Sequence, residues 1–452
     1  MAFEPSILTR NPMARRRYLE IMQAALDAVD PYAAVRAHLR VTDGTLWAGE
    51  RAFALNKLRR IVVIGAGKAG APMARAVEDV LGDAIAAGLV VVKQGHCAPT
   101  ARIEIVEASH PIPDEAGVAA GARVLDLAAS AGADDLVLAL ISGGGSALLE
   151  ATAGISLADL QAMTDSLLAC GATINEINCL RKHMSRVKGG QLARAASPAA
   201  LVTLVLSDVV GSPLDVIASG PTVPDSSTWA DAWAVVEKYA LAEALPAAVM
   251  ARVRAGVRGE VPDTPKAGNP IFDRATTQIV GDNRVAALAA CRRAQELGYH
   301  ALLLTTYVEG EAREVAKLAV ALAREVVASG QPAPAPACLI LGGETTVTLG
   351  SAPGTGGRNQ ELALAAALGI AGSERITIAS LATDGSDGPT DSAGGLVDGA
   401  TVRLGEASGL DAGAMLRRHD AYPTLRATGD LLVSGPTQTN VNDLIFVWVE
   451  AE

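Results

Sequence analysis

The chain has 452 residues, of which 50% are hydrophobic, only 3% are aromatic and 45 are glycine. This length exceeds one ordinary core, so we expect two domains. The formal net charge of −11 argues against nucleic acid or an anionic membrane as a partner. The five scattered cysteines, without a CxxC pair, are typical of a reduced cytoplasmic protein rather than of a zinc or disulfide scaffold.

Apolar runs of Val, Leu and Ile recur along the chain, and most end in glycine or aspartate before a helical pattern begins. Such near-continuous runs are typical of strands buried on both faces of a parallel sheet, and functional residues of these sheets gather past the strands' carboxyl ends. Residues 226–274 carry turn signals and little strand pattern. We therefore predict an α/β protein with a boundary near residue 240, giving domains 1–240 and 241–452.

The first such run ends in GAGKAG, residues 65–70. The glycines have the spacing of a dinucleotide-binding turn, but the next strand ends in Lys93 and not in the acidic residue that holds the ribose of NAD. A lysine at this position argues against NAD, although a lysine can meet the 2′-phosphate of NADP. A plain tight turn is one alternative, and an anion site built on Gly67 and Lys68 at the start of a helix is another.

A second glycine-rich loop, SGGGS, lies between a buried strand and an apolar helix and comprises Ser142, Gly143, Gly144, Gly145 and Ser146. Its backbone N–H groups can surround phosphate oxygens, with Ser146 as helix cap or ligand, although a plain turn fits equally well. The frame is not GxSxG, which argues against a hydrolase nucleophile.

Basic residues cluster in residues 175–196, where Arg181 and Lys188 precede a pair of glycines in an otherwise acidic chain. A solvated helix face is the alternative to an anion-binding role. Two histidines, His96 near a strand end and His110 in SHPIPDE, are candidates to line a cleft, although packing also explains a lone histidine.

Carboxylates follow several strands: Asp208, Glu344 and Asp384. A strand-end carboxylate can hold Mg²⁺ or orient a hydroxyl, because Mg²⁺ needs only one or two carboxylates plus phosphates. Ser219 and Gly220 follow Asp208 in the sequence ASGPT.

The segment GTGGRNQE opens a helix and places Arg358 and Asn359 in its first turn. An arginine beside a helix N-terminus is suited to stabilising phosphoryl charge. The segment QTNVNDL, residues 438–444, adds amides and Asp443 near the C-terminus.

Together these blocks resemble the class II glycerate kinases, which are glycerate 2-kinases with a C-terminal MOFRL domain. The resemblance rests on GAGKAGAPMA, SHPIPDE, ISGGGSALL, INCLRKHMSRVKGGQLA, SDVVGSPLDVIASGPTVPD, GGETTVT, GTGGRNQELAL and ATDGSDGPTDSAGG, which occur in family order from about residue 15 onwards. It implies a Rossmann-like N-terminal domain whose first helix can pack on the other domain, a second α/β domain with the MOFRL region at about 335–450, and an active site in the cleft between them.

The resemblance also implies ATP-dependent, Mg²⁺-assisted phosphorylation of D-glycerate to 2-phosphoglycerate. It marks Lys68 and Arg358 as important for activity, and we add Asp208 as a catalytic candidate and Asp208 or Asp384 as a metal ligand. The predicted substrate- and phosphate-binding positions are Gly67, Ser142, Gly143, Gly144, Gly145, Ser146, Arg181, Lys188, Ser219, Gly220, Glu344 and Asn359.

Two other functions stay open at this point. Family members are often named hydroxypyruvate reductase, an NAD(P)H-dependent activity that the glycine spacing favours and the missing ribose acid disfavours. A non-catalytic protein that binds sugar-acid phosphates is the second alternative. A homodimer is the default expectation for the assembly.

Overall fold

The computed structural model describes residues 3–351 and 353–452. The chain forms two compact units: Pro31–Val280 is one, and Met1–Asp30 together with Gly281–Glu452 is the other. Among the described residues, no helix is both long enough and apolar enough to cross a membrane.

The strands, in chain order, are β1 Leu39–Thr42, β2 Thr45–Ala48, β3 Arg51–Ala54, β4 Arg60–Ala66, β5 Ile85–Lys93, β6 Ile103–Ala108, β7 Asp135–Ser142, β8 Ala200–Leu206, β9 Ala275–Gly281, β10 His300–Glu311, β11 Ala337–Thr346, β12 Ile376–Ala382, β13 Gly394–Asp398, β14 Leu431–Leu432 and β15 Asp443–Val449.

The α-helices are α1 Pro12–Ala28, α2 Pro31–His38, α3 Gly70–Leu81, α4 Glu115–Ala129, α5 Gly145–Leu148, α6 Leu157–Ala169, α7 Ile174–His183, α8 Gln191–Ala196, α9 Trp229–Lys238, α10 Ala247–Val257, α11 Asn283–Glu296, α12 Ala312–Ser329, α13 Arg358–Ile370, α14 Thr401–Ala407, α15 Ala412–Arg417 and α16 Ala421–Thr428. Short 3₁₀ turns occur at Pro5–Thr9, Leu55–Lys57, Gly82–Ala84, Ile217–Ser219 and Pro270–Phe272.

The Pro31–Val280 unit is built on a six-stranded sheet of order β6-β5-β4-β7-β8-β9. The pairs from β6 to β8 are parallel, and β7 and β8 are buried along their whole length, as their continuous apolar runs predict. Numbered along the chain, this is the doubly wound order 3-2-1-4-5-6, in which the strand order reverses between β4 and β7. Ligands of such sheets bind past the carboxyl ends of strands at that reversal, where GAGKAG follows β4 and SGGGS follows β7.

Helices α6, α7, α9 and α10 form a separate apolar cluster within the same unit. Three of them start at capping boxes, in which a Ser or Thr side chain and an acidic residue three positions later exchange hydrogen bonds with each other's backbone N–H. Trp229 and Val253 pack in this cluster, and β9 adds the sixth strand of the sheet. The predicted boundary at residue 240 therefore differs from the observed division, because residues 241–280 pack with the elements that precede them.

The other unit contains a mixed six-stranded sheet of order β10-β11-β15-β12-β13-β14. Strands β10 and β11 are parallel, whereas β15 runs antiparallel to both of its neighbours, β11 and β12. One extended apolar core joins this sheet to α12 and α13. The α/β class with a parallel first sheet and a second α/β sheet is confirmed.

Helix α1 belongs to this second unit. Tyr18 stacks on Trp448 of β15 with ring centroids 4.3 Å apart, and its hydroxyl donates to Glu450 at 2.6 Å. Arg15, almost fully buried, donates to Asp398 at 2.9 Å and to Asp430 at 2.7 Å. These contacts attach the N-terminal helix to the C-terminal strand.

Candidate active site

The glycines of the 65–70 turn serve packing within the protein. A Cβ on Gly67 would lie 2.0 Å from Ser142 Oγ, and one on Gly70 would lie 2.7 Å from a methyl carbon of Val90. Gly67 also has φ of +143°, which L side chains rarely adopt. The glycine spacing is therefore explained by the close approach of β4 and α3 to the neighbouring strands, without any ligand.

The amide groups of this turn already donate hydrogen bonds within the protein. All four N–H groups of residues 67–70 donate hydrogen bonds of 2.9–3.0 Å inside the protein, to Val91 O, Gly143 O, Ser142 Oγ and Gly67 O. A pyrophosphate would find no free donor here, so the dinucleotide hypothesis loses its physical basis. The expectation that the amides of Lys68's own turn are free is also wrong, so within this turn only the Lys68 side chain can act on a ligand.

The SGGGS loop is different. Ser142 is buried and accepts the Ala69 N–H, so it holds the two loops together and is not a free ligand. The N–H groups of Gly144, Gly145 and Ser146, by contrast, donate no hydrogen bond to any residue of 3–351 and 353–452. The donors expected at the strand-order reversal are therefore supplied by the loop after β7.

Gly143 and Gly144 bring three ionisable side chains close together. A Cβ on Gly143 would lie 2.0 Å from Asp208 Oδ2, and one on Gly144 would lie 3.1 Å from His110 Nε2 and 3.4 Å from Lys68 Cε. Only glycine leaves room for these groups. Sequence motifs had singled out Lys68 and Asp208 as functional candidates and His110 as a candidate to line a cleft, and the structure brings all three to this loop.

The surroundings change the acidity of two of these groups. Burial raises the pKa of Asp208, although the charge of Lys68 opposes this rise. Burial, together with the positive charges of Lys68, Lys93 and His96, lowers the pKa of His110 to about 4. A carboxyl with a raised pKa and a neutral imidazole thus lie beside one lysine.

The strained turn at residues 218–220 supports the SGGGS loop. Ala218, Ser219 and Gly220 have successive positive φ values of 49°, 61° and 59°, an arrangement that costs about 1–3 kcal/mol for each non-glycine residue. The buried Ser219 hydroxyl lies 2.8 Å from that of Ser146 and donates to Asn178 at 3.2 Å. Ser219 therefore helps to position the SGGGS loop, whereas Gly220 bonds to Gly190 and not to that loop.

Of the basic segment, Arg181 lies at this site and Lys188 does not. The Arg181 guanidinium reaches the Ser146 carbonyl at 3.5 Å, while its buried Nε has no hydrogen-bond partner among the described residues. Burial lowers the pKa of Arg181. Lys188 is 1% exposed and donates to Glu150 at 2.5 Å and to Leu149 O at 3.1 Å. Its predicted substrate contact is therefore replaced by a buried ion pair, whose partner no motif indicated.

The second unit holds a different group of predicted residues around Arg358. Its guanidinium donates to both carboxylate oxygens of Asp443, at 2.6 and 3.0 Å, and pairs with Glu344 at 3.0 Å. Burial disfavours the charged form of Arg358, but the hydrogen bonds and charge of Asp443 and the charge of Glu344 raise its pKa overall. Arg358 thus stays cationic beside the carboxylates of Asp443 and Glu344.

The first turn of α13 is capped by Asp387. The carboxylate accepts the N–H groups of Asn359 at 3.1 Å and Gln360 at 2.8 Å. Asn359 is fully buried, and its side chain also accepts the Ser380 hydroxyl at 2.6 Å. The predicted phosphate contact of Asn359 is therefore replaced by an internal network. Burial raises the pKa of Asp387 to about 6, although its two backbone hydrogen bonds act to lower the pKa.

A pocket of about 460 Å³ opens beside this helix start, within the second unit. Arg358, His419, Ser386 and the carboxylates of Glu361, Asp384 and Asp387 line it together with glycine, alanine, proline, valine and leucine residues. His419 is oriented by a 2.8 Å contact with the buried Glu361. This volume lies within the range of small-molecule sites, and the pocket combines a guanidinium, an imidazole and three carboxylates, of which only that of Asp384 is not buried.

The residues described contain no group of three or more His, Cys, Asp or Glu able to hold a metal. The two predicted metal ligands, Asp208 and Asp384, belong to different units. Either carboxylate alone would fit Mg²⁺ only if phosphate and water oxygens completed the coordination, which is the usual arrangement in phosphoryl-transfer sites.

The chain is similar over most of its length to characterised proteins. Residues 17–254 match a family described as a domain of unknown function, DUF4147, and residues 337–443 match the MOFRL family. A protein of Pyrococcus horikoshii named glycerate 2-kinase is 41% identical over 96% of this chain and 97% of its own. The chain belongs to the glycerate 2-kinase family.

A crystal structure of glycerate kinase from Thermotoga maritima matches this family member with a TM-score of 0.87 at 41% identity, covering 97% of this chain and 99% of that one. An Agrobacterium vitis relative named putative hydroxypyruvate reductase is 43% identical over 97% of this chain and 95% of its own. The resemblance drawn from the glycine-rich and acidic blocks is confirmed.

Proposed function

We propose that this glycerate 2-kinase family member transfers the γ-phosphoryl group of ATP to the C2 hydroxyl of D-glycerate, giving 2-phosphoglycerate and ADP. The observation that carries the proposal is the arrangement at the strand-order reversal. There Lys68 and Asp208, a carboxyl of raised pKa, lie beside a loop, and among residues 3–351 and 353–452 neither an ion-pair partner of Lys68 nor a hydrogen-bond acceptor for the Gly144 to Ser146 amides is found.

Phosphoryl transfer depends mainly on positioning and on neutralisation of charge. Lys68 supplies the positive charge, and the amides of Gly144 to Ser146 supply donors for negatively charged oxygens. The attacking hydroxyl must lose its proton as its oxygen bonds to phosphorus. Asp208 is the proposed acceptor, because its raised pKa makes the carboxylate a better base than an exposed aspartate.

The pocket beside α13 is the proposed site for the phosphates of the nucleotide. Arg358 offers a guanidinium whose Nε and Nη2 are held by Asp443, while its Nη1 pairs with the exposed Glu344 carboxylate, so a phosphate oxygen would bind at Nη1 in place of Glu344. Asp384 is the proposed protein ligand of Mg²⁺, since its partly buried carboxylate lines the same pocket. When bound, Mg²⁺ would neutralise charge on the phosphates.

The decisive assay follows ADP release from MgATP in the presence of D-glycerate. We expect turnover by the wild-type protein and losses of at least about 100-fold for Lys68→Ala and for Arg358→Ala, since each removes charge stabilisation at the phosphoryl group. The exposed Lys57→Ala is the matched control and should match the wild type. Near-normal turnover of both folded variants would refute the proposed roles.

The alternatives give distinct outcomes in the same preparation. Oxidation of NAD(P)H by hydroxypyruvate without ADP formation would establish the reductase instead. Binding of glycerate without either reaction would indicate a non-catalytic binding protein. We also propose a homodimer, for which light scattering should give twice the chain mass of 46.1 kDa.

A further inference from the structure

Basic and titratable side chains lie together past the carboxyl ends of β4, β5 and β6, where Lys68 and His110 both border Gly144 and His96 contacts the Lys68 carbonyl. Lys68, Lys93 and His96 all act on His110 through their charges. Neither lysine forms an ion pair with any residue of 3–351 and 353–452. In a chain of net charge −11, two partly buried lysines that form no ion pair with the described residues indicate a place for an anionic ligand, and Asp208 is the carboxyl whose charge acts on Lys68.

The side chain of His110 is available to a ligand. It is partly buried, and neither ring nitrogen makes a hydrogen bond to the described residues. Its Nε2 lies against the α-carbon of Gly144, on the side where Lys68 Cε also lies. His96, in contrast, is held by a 3.1 Å contact between its Nδ1 and the carbonyl oxygen of Lys68. Neither ring nitrogen of His110 is a fully buried atom, so both can be reached by a ligand.

We propose that His110, with Lys68 and Lys93, binds an oxyanion, either the carboxylate of the hydroxy acid or a phosphoryl group of the nucleotide, and takes up a proton when that oxyanion binds. This rests on the proposed kinase function, because the oxyanion belongs to one of its substrates. The site lies wholly within the Pro31–Val280 unit.

The coupling to a proton follows from the charges that face His110. Without ligand the nearby groups are Lys68, Lys93 and His96, and together with burial they keep the pKa of His110 near 4, so that the imidazole is neutral at pH 7. Asp208 is the carboxyl of the same loop cluster, on the Gly143 side. A bound oxyanion brings opposite charge and should raise the pKa of His110 by about 1–3 units.

Proton uptake on the wild-type protein tests the proposal directly. Calorimetric titration with D-glycerate and, separately, with the β,γ-imido analogue of ATP is run at pH 6 in two buffers of different ionisation enthalpy. We expect net proton uptake for the ligand that occupies this site. Histidine ring NMR follows the same event, because only six histidines are present and His110→Asn identifies the signal.

Variants separate this site from a general loss of structure. His110→Asn and Lys93→Gln should each weaken binding of the same ligand by about 10-fold or more, the loss expected for a hydrogen bond to a charged group. His110→Asn should also abolish the proton uptake. His300→Asn, at an exposed position of the other unit, is the matched control and should change neither.

The two ligand arms decide which oxyanion is bound. Uptake with D-glycerate alone assigns the carboxylate, and uptake with the nucleotide analogue alone assigns a phosphoryl group. The proposal is overturned if neither ligand shifts the His110 signal in the wild-type protein, or if His110→Asn keeps both affinities and the proton uptake. ADP formation by the wild type is measured separately. Failure of the oxyanion proposal can therefore be distinguished from failure of the proposed kinase function.

Discussion

Gly143→Ala should inactivate the protein by displacing one carboxylate. The added Cβ would lie 2.0 Å from Asp208 Oδ2 and 2.5 Å from its Cγ, whereas ordinary contact begins near 3.4 Å. Asp208 must therefore move by about 1.4 Å, the difference between these distances. Gly143 does not have positive φ, so alanine brings no backbone strain of its own. A misplacement of about 1 Å can cost about 100-fold in rate, which corresponds to ~2.7 kcal/mol in the activation free energy.

The assay is ADP release under saturating D-glycerate and MgATP, with the free energy of unfolding measured in parallel. Crowding of this kind costs about 1–3 kcal/mol of stability, which a folded protein of this size should tolerate. Gly132→Ala is the control in the same unit, because its Cβ would meet nothing closer than Arg59 Nη2 at 3.5 Å. In an Asp208→Ala background the Gly143 substitution should add little. A Gly143→Ala enzyme within about threefold of wild type, or an equal loss in both backgrounds, would refute the reasoning.

Three further predictions concern groups buried in either unit. Lys188→Met should lower the free energy of unfolding in denaturant titration by about 3–5 kcal/mol, because it leaves the charge of Glu150 buried without its cation, whereas Lys238→Met, at an exposed pair with Glu176, should change it far less. Asp387 has a pKa of about 6 in the folded protein and 3.8 in the unfolded chain, so the folded state binds more protons between these pH values. The free energy of unfolding should therefore fall by about 2–3 kcal/mol as the pH rises from 4 to 6. Asp387→Asn should remove this pH dependence, and an unchanged pH dependence would exclude this carboxyl as its source. Asp384→Asn should raise the Mg²⁺ concentration for half-maximal ADP release by about 10-fold or more, as expected for loss of a protein ligand, while the exposed Asp391→Asn should leave it unchanged.

The fold class was predictable because its signals are local. Continuous apolar strands followed by glycine-rich turns indicate a doubly wound sheet, and β4, β7 and β8 have that form. The position of β15 was not predictable, because pairing between β11 and β12 in the antiparallel direction depends on contacts distant in sequence. The boundary at residue 240 failed for a similar reason, since α9 and α10 are helices whose apolar partners lie some seventy residues earlier.

At the site, residue types were easier to predict than their partners. Lys68, Asp208 and Arg358 were singled out because their charges follow strands or open helices. The amides of residues 67–70 looked available in sequence, but Ser142 and Gly143 on another strand accept two of them. Lys188 looked like an anion ligand until Glu150 was found beside it. Which charges are already paired is a property of the folded chain, and a single sequence does not show it.

The antiparallel insertion of β15 has a consequence for the order in which the chain acquires structure. The Pro31–Val280 unit is continuous in sequence and can fold while synthesis is still in progress. The other unit cannot, since β11 and β12 have unpaired edges until residues 443–449 have been made. Helix α1, the first helix made, waits equally long for Trp448 and Glu450. The pocket lined by Arg358 is therefore the last part of the enzyme to form during synthesis. Premature termination within β15 would leave a chain in which the Pro31–Val280 unit is folded and the other unit is prone to aggregate.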